Sequence, residues 1–289
     1  MKIAITGANG FLARHLRKAL LADGHQVVAI VRPGPSASEQ CWPIGLDSAT
    51  RLAEALSGCQ AVAHCAGIAR EVGANTFEVV HVEGTRNLLA ACRQAKVSKF
   101  LLTSFLRARA NCGSAYHESK WEAEQMVRAS GLDFTIFKAG LLYGERDQVT
   151  TRLGVMLERL PFFAGFGFSD PKVRPIAVTD MVALMLTALV DPRLKEKTVP
   201  VVGPDQTLTL NQMVKLLGRS RGVDPKVIPL PIFCHRLLAF ASERMFSNPL
   251  VTSAQIQMLS EGMAQASPPF DPLPEDLAPA TLFLSNAVD

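Results

Sequence analysis

Short apolar runs alternate with longer amphipathic ones over the first two-thirds of this 289-residue chain. KIAIT leads into FLARHLRKALLADG, whose apolar positions recur at helical spacing and whose Gly24 is a helix stop. QVVAIV, a Pro/Gly/Ser loop (RPGPSAS), TRLAEALSG and QAVAHCAG follow. FEVVHVEGTRNLLAACRQA, KFLLTS, a helix around SAYHESKWEAE, and DFTIFKAG come next. The strand candidates are apolar throughout, the pattern of strands buried on both faces of a parallel sheet. Strands regularly separated by helices predict right-handed crossovers and an α/β, doubly wound parallel sheet. Past about residue 145 the rhythm loosens. Prolines 161, 171, 175, 192, 200 and 204 interrupt it, VTDMVALMLTALVD reads as a helix, and PPFDPLPEDLAP reads as an irregular tail.

The loop between the first strand and helix, TGANGFLARHL, gives the pattern its first chemical content. Gly7 and Gly10 permit a tight turn and a close approach of backbone to ligand, and Ala13 permits close helix–strand packing. The unpaired N–H groups of the helix start, aided by the helix dipole, suit a pyrophosphate. This predicts a Rossmann-type dinucleotide site, against the alternative of a plain strand–helix turn. At the end of the second strand, where an acid would hold the ribose of NAD, stands Arg32, with no acid before Glu39. A guanidinium there suits the 2′-phosphate of NADP, so NADP is expected over NAD; the alternative is a solvated arginine at a strand end.

Tyr116 and Lys120 lie four apart on a predicted helix and so share a face with Ala123 and Val127, while His117, Glu118, Glu122 and Gln125 are expected to be solvated. An ammonium near a phenol lowers its pKa toward working pH, which fits proton transfer coupled to a hydride step. Ser104, with Thr103 as the spare, closes KFLLTS at a strand's carboxyl end and is expected to hold the same substrate oxygen.

These segments together with HCAG, VVHVEGTRNLLAAC and GLLYG resemble the short-chain dehydrogenase/reductase superfamily, in its extended and atypical branch of NAD-dependent epimerases and dehydratases. The ensemble is particularly similar to bacterial relatives of the NADPH-binding accessory subunit of respiratory complex I. The resemblance implies Tyr116 as acid/base, Lys120 tuning it and holding the nicotinamide ribose, and Ser104 polarising the substrate oxygen. It implies further that Gly7, Asn9, Gly10, Phe11 and Leu12 line the pyrophosphate, and that Ala66 and Gly67 pass beside the adenine ribose. Departures from the branch are Gly45 where an acid is common (Asp47 lies two residues late), His81 for an asparagine, and Lys138-Ala139 for Arg-Pro. A lone histidine such as His81 is read as a structural hydrogen-bonder before a catalyst.

The expected division is a Rossmann domain over 1–190, with an excursion near 145–172, and a smaller substrate-binding region over 191–289. The expected function is an NAD(P)-dependent oxidoreductase or epimerase acting on a small carbonyl or hydroxyl substrate; the alternative is a non-catalytic NADPH-holding structural or sensor protein. PFFAGFGFSDP, with Phe162, Phe163, Phe166 and Phe168, is a candidate pocket lining. A charge of +4 without basic blocks argues against nucleic acid, and six cysteines without paired spacing argue against a metal site. No apolar stretch is long enough to span a bilayer, so a soluble cytoplasmic protein, with homodimerisation open, is expected. VIPLPIFCHRLLAFASERMF is read as a core- or dimer-facing helix in preference to one lying on a membrane.

Overall fold

The computed structural model describes residues 1–34, 41–167, 170–204, 207–245 and 253–284. The chain opens with β1 (Lys2–Thr6), α1 (Phe11–Ala22), β2 (Gln26–Val31), β3 (Cys41–Pro43), α2 (Ala49–Ala55) and β4 (Ala61–His64). A π-helical turn over Glu78–Glu83 runs into α3 (Gly84–Gln94), and β5 (Lys99–Phe105), α4 (Ala115–Arg128) and β6 (Asp133–Ala139) follow. Next come β7 (Leu142–Tyr143), α5 (Gln148–Arg159), β8 (Phe162–Phe166), β9 (Lys172–Val173), β10 (Ile176–Ala177) and α6 (Val178–Ala188). β11 (Lys197–Val201), β12 (Leu208–Thr209), α7 (Leu210–Arg219), β13 (Lys226–Leu230), α8 (Ile232–Met245) and α9 (Ser253–Ser260) come after them.

Seven strands form one sheet in the order β11-β6-β5-β4-β1-β2-β3, with every pair parallel. The uniformly apolar runs are explained by burial on both faces. Ile3, Ala4 and Ile5 of β1 are all inaccessible, and Ala4, Ile30, Val62, Phe100 and Leu102 pack with Leu52, Leu88 and Val127 from α2, α3 and α4. The direction of winding reverses between β1 and β4, so the crevice at their carboxyl ends is the switch point where such sheets bind ligands. The helix stop falls as read. Gly24 takes φ +76, and the Gly24 and His25 amides close α1 on the Leu21 and Leu20 carbonyls.

The chain divides into two compact units that exchange segments. One unit holds Met1–Ala139, Val178–Val201 and Ser267–Leu277; the other holds Gly140–Ala177, Val202–Ala266 and Ala278–Asp289. β11 and the 267–277 segment, which sequence places in the C-terminal region, therefore belong with the sheet. α6 is the crossover that brings β11 back parallel to β6, and this return is invisible in a linear pattern. The irregular tail is fastened there by Asp271, which accepts from the Thr198 amide (2.9 Å) and pairs with Lys197 (3.1 Å).

In the second unit, Phe162 is exposed, Phe163 half-buried and Phe166 buried, while Phe168 lies outside the described residues. Of the two placements expected of α8, core-facing or dimer-facing, the first is not found: its buried described side chains are His235 and Ala239 alone. Among the described residues, no helix is long and apolar enough to cross a membrane.

Candidate active site

The glycine loop is shaped by what cannot fit. Gly7 has φ +65, and a Cβ there would stand 2.7 Å from the Ala66 Cα, so β1 and β4 meet backbone to backbone at the crevice. Gly10 caps α1 without a side-chain hydrogen bond, and its amide turns back to the Gly7 carbonyl at 2.7 Å. Asn9, Gly10 and Gly67 are exposed, Phe11 and Ala66 half-buried, and Leu12 buried, so Leu12 has only its amide to offer an anion. A helix start free of a capping side chain, beside a cradle that any Cβ would fill, fits the pyrophosphate of a dinucleotide. Arg32 is exposed just past β2. Asp47 is exposed as well, and Ser48, not Asp47, caps α2.

Two histidines fix the β4 side of the crevice. The Ala66 amide donates to the Thr6 hydroxyl (3.4 Å), which donates to His64 Nδ1 (2.6 Å). His64 Nε2 then donates to the Thr85 hydroxyl (3.1 Å), which is committed as donor to the His81 carbonyl (2.5 Å). His81 Nε2 accepts from the Ile68 amide (3.1 Å), so its Nδ1 carries the proton and donates to Ser119 (2.9 Å); Ser119 in turn donates to the Tyr116 carbonyl (3.0 Å). Every hydrogen has one consistent direction, which leaves both imidazoles neutral. Burial, followed by the charge of Lys120, pushes His64 down to about 3 and His81 to about 2. His81 thus ties the loop after β4 to α4.

Both imidazoles have folded-state pKa values below their unfolded value near 6.5. The stability they support is complete above that pH and is lost as pH falls toward the folded values. Each contributes a slope on the order of 1.4 kcal/mol per pH unit in that window. Denaturant unfolding at pH 7.5 and 5.5 is expected to show a loss of about 2 kcal/mol or more. Equal stability at the two values would show that the imidazoles are not buried neutral groups.

Tyr116, on the first turn of α4, is 9% exposed and is surrounded edge-on by the rings of Phe77, His81, Phe105 and His117 at 5.3–5.8 Å. Lys120, one turn on, sends its Nζ to the Thr103 carbonyl (3.3 Å) and against Gly67, where a Cβ would lie 3.0 Å away. Burial lowers Lys120 to about 8, so it is mostly a cation at neutral pH. Burial also pushes the Tyr116 phenol above its ordinary range, and Lys120 does not offset this. The expected depression of the phenol is therefore not found, because its neighbours are rings and the ammonium is turned toward Thr103.

Ser104 is not brought to Tyr116. It shares strand parity with Phe100 and Leu102, so it faces the helices, where its hydroxyl donates to Glu124 Oε1 at 2.5 Å. Glu124 is inaccessible and also pairs with Arg128 (2.8 Å) and the inaccessible Lys138 (3.4 Å). Lys138 donates as well to the Ala108 carbonyl (2.9 Å), and Arg128 and Lys138 both lie over the Trp121 ring, at 5.5 and 5.8 Å. The side chain that reaches Tyr116 from the end of β5 is Phe105. Thr103 lies beside Cys65, at the end of the neighbouring strand β4, Oγ1 to Sγ at 3.9 Å. His117, read as solvated, is inaccessible and bonded to Ser114 (2.6 Å); Glu118 accepts from the Cys112 and Gly113 amides; Glu122 and Gln125 are exposed as read. Glu124 was missed because nothing in a helix sequence says which face meets β5 and β6. Its i+4 spacing to Arg128 was the available signal.

A family model described as NAD(P)H-binding matches residues 7–189. An uncharacterized protein of Mycobacterium tuberculosis is 30% identical over 262 residues; the match takes in 87% of this chain, which spans only 27% of that protein's length. A ceramide reductase of Caulobacter vibrioides is 29% identical over 235 residues, covering 79% of this chain and 73% of the reductase. Among solved structures, a nucleoside-diphosphate-sugar epimerase from Staphylococcus aureus superposes with a TM-score of 0.72 at 15% identity, over 92% of this chain and 93% of its own, a likeness of fold. With its glycine loop, its switch-point crevice and this match, the chain belongs to the NAD(P)H-binding family, on the Rossmann-type fold of the short-chain dehydrogenases/reductases.

Proposed function

We propose that the protein is an NADP-preferring reductase of a small carbonyl compound, with Tyr116 as the proton donor. The observation that carries this reading is the ring-enclosed phenol, kept protonated by burial, one helical turn from a buried cation. A phenol held neutral is an acid waiting for a base, which suits the step that turns a carbonyl oxygen into an alcohol. NADPH, when bound, supplies the hydride. As negative charge grows on the substrate oxygen, Tyr116 delivers its proton there, while Lys120, turned toward Thr103, keeps a positive charge one helical turn from the phenolate left behind. His81 keeps the α4 start and the loop after β4 in register during that step. The rings of Phe77 and Phe105 keep water from the phenol. The ceramide reductase among the relatives supports a carbonyl reduction; the substrate of this chain is left at the level of its class.

Arg32 carries the cofactor preference in this reading. A charge-assisted pair with the 2′-phosphate makes NADPH bind roughly tenfold or more tighter than NADH, and Arg32→Asp should remove most of that difference. Calorimetric titration of both proteins with both nucleotides tests it. Equal affinities in the unaltered protein would rule out the assignment.

A second reading, an NADPH-holding structural or sensor protein, is favoured by Ser104 being committed to Glu124 and by Phe105 standing at Tyr116. It predicts NADPH binding without oxidation across a carbonyl panel.

A further inference from the structure

In the second unit, α8 is held by one narrow side. His235 donates from Nε2 to the Gly165 carbonyl (3.1 Å) and lies on the Phe166 ring at 4.5 Å, and Ala239, one turn on, is buried with it. The opposite side is apolar and open. Phe233, Leu237 and Phe240 follow at i, i+4 and i+7, exposed by 66%, 65% and 52%, with Leu238 beside them at 61%. This inverts the usual surface helix, whose outward face is polar.

The charges select the occupant. α8 carries two cations, Arg236 and Arg244, and one acid, Glu243, whose side chain lies outside the described set. Arg244 lies over the Phe240 ring at 5.3 Å, which places a cation directly beside the apolar stripe. An anionic lipid surface meets both features at once, apolar tips entering the acyl boundary while the guanidinium groups rest among phosphates. The β8–β13 ribbon of the same unit repeats the combination: Phe162 and Ile228 are about half exposed, with Lys226 in register with Phe162.

We propose that α8 is an interfacial helix that docks this protein on a bilayer carrying anionic phospholipid, through Phe233, Leu237 and Phe240 with Arg236 and Arg244. The assignment stands apart from the redox reading, since none of these residues belongs to the sheet unit.

Flotation with phosphatidylcholine vesicles, with and without phosphatidylglycerol, tests it on the full chain. Expected is flotation with the anionic vesicles and about tenfold less on phosphatidylcholine alone. The triple variant F233S/L237S/F240S should stay at the bottom while keeping its thermal unfolding and NADPH affinity. R236E/R244E, which leaves the apolar stripe intact, should lose the preference for anionic vesicles. Unaltered protein that stays at the bottom overturns the proposal, as does a triple variant that floats equally. A dimer dispersed by the triple variant, in a protein that does not float, would assign the face to a second copy and overturn it too.

Discussion

Tyr116→Phe is expected to lower carbonyl-dependent NADPH consumption by about 10²- to 10⁴-fold, the range for loss of a positioned general acid. Its affinity for NADPH should change by less than about threefold. The split follows from the geometry. The phenol's ring is packed by four other rings, and phenylalanine preserves that packing, so only the hydroxyl and its proton are removed. Steady-state rates at matched nucleotide occupancy read the effect. Unchanged turnover would remove Tyr116 from the chemistry. A large loss of NADPH affinity would mean that the hydroxyl serves the nucleotide instead.

The second large effect lies away from the phenol. Glu124 accepts from Ser104, Arg128 and Lys138 in a place where neither Glu124 nor Lys138 reaches solvent. Burial already disfavours the Lys138 ammonium, with Glu124 opposing that shift. Glu124→Ala leaves that charge without its anion and is expected to cost about 3–5 kcal/mol of unfolding free energy. Glu124→Leu combined with Lys138→Met removes both charges and should recover most of the loss. Ser104→Ala removes one hydrogen bond to a charged group, so a cost of about 2 kcal/mol with turnover unchanged is expected. Denaturant unfolding checks the energies, and the NADPH assay checks turnover. A Ser104→Ala protein that is stable yet inactive would restore the substrate role that the structure takes from it.

That serine shows where sequence reasoning stopped. TGANGFLARHL was readable because its glycines answer a steric demand that a linear pattern records: Gly7 has no room for a Cβ beside Ala66. The parallel sheet was readable from strands apolar on both faces, and the placing of Tyr116 and Lys120 one turn apart on a helix from their spacing; both are buried on α4. Which way the last residues of β5 point was not readable. A period of two fixes alternation along a strand, but which parity meets which layer is decided by packing, and a one-residue difference exchanged Ser104 for Phe105. His117 looked solvated, and Glu124 went unremarked, for the same reason, their burial being set by β5 and β6 and not by α4 itself. The return of 178–201 and 267–277 to the sheet unit is a fact of topology that composition does not carry.

The claim on which the rest depends is that burial keeps Tyr116 a neutral phenol poised to give its proton. The chain has two tyrosines, so Tyr143→Phe leaves Tyr116 as the sole phenol to titrate. Tyrosinate absorbance should then be followed against pH, with circular dichroism recording the fold in parallel. The account predicts no tyrosinate from Tyr116 until well above about pH 10, or until the fold is lost. A titration midpoint at or below about 10 in the folded protein would contradict it.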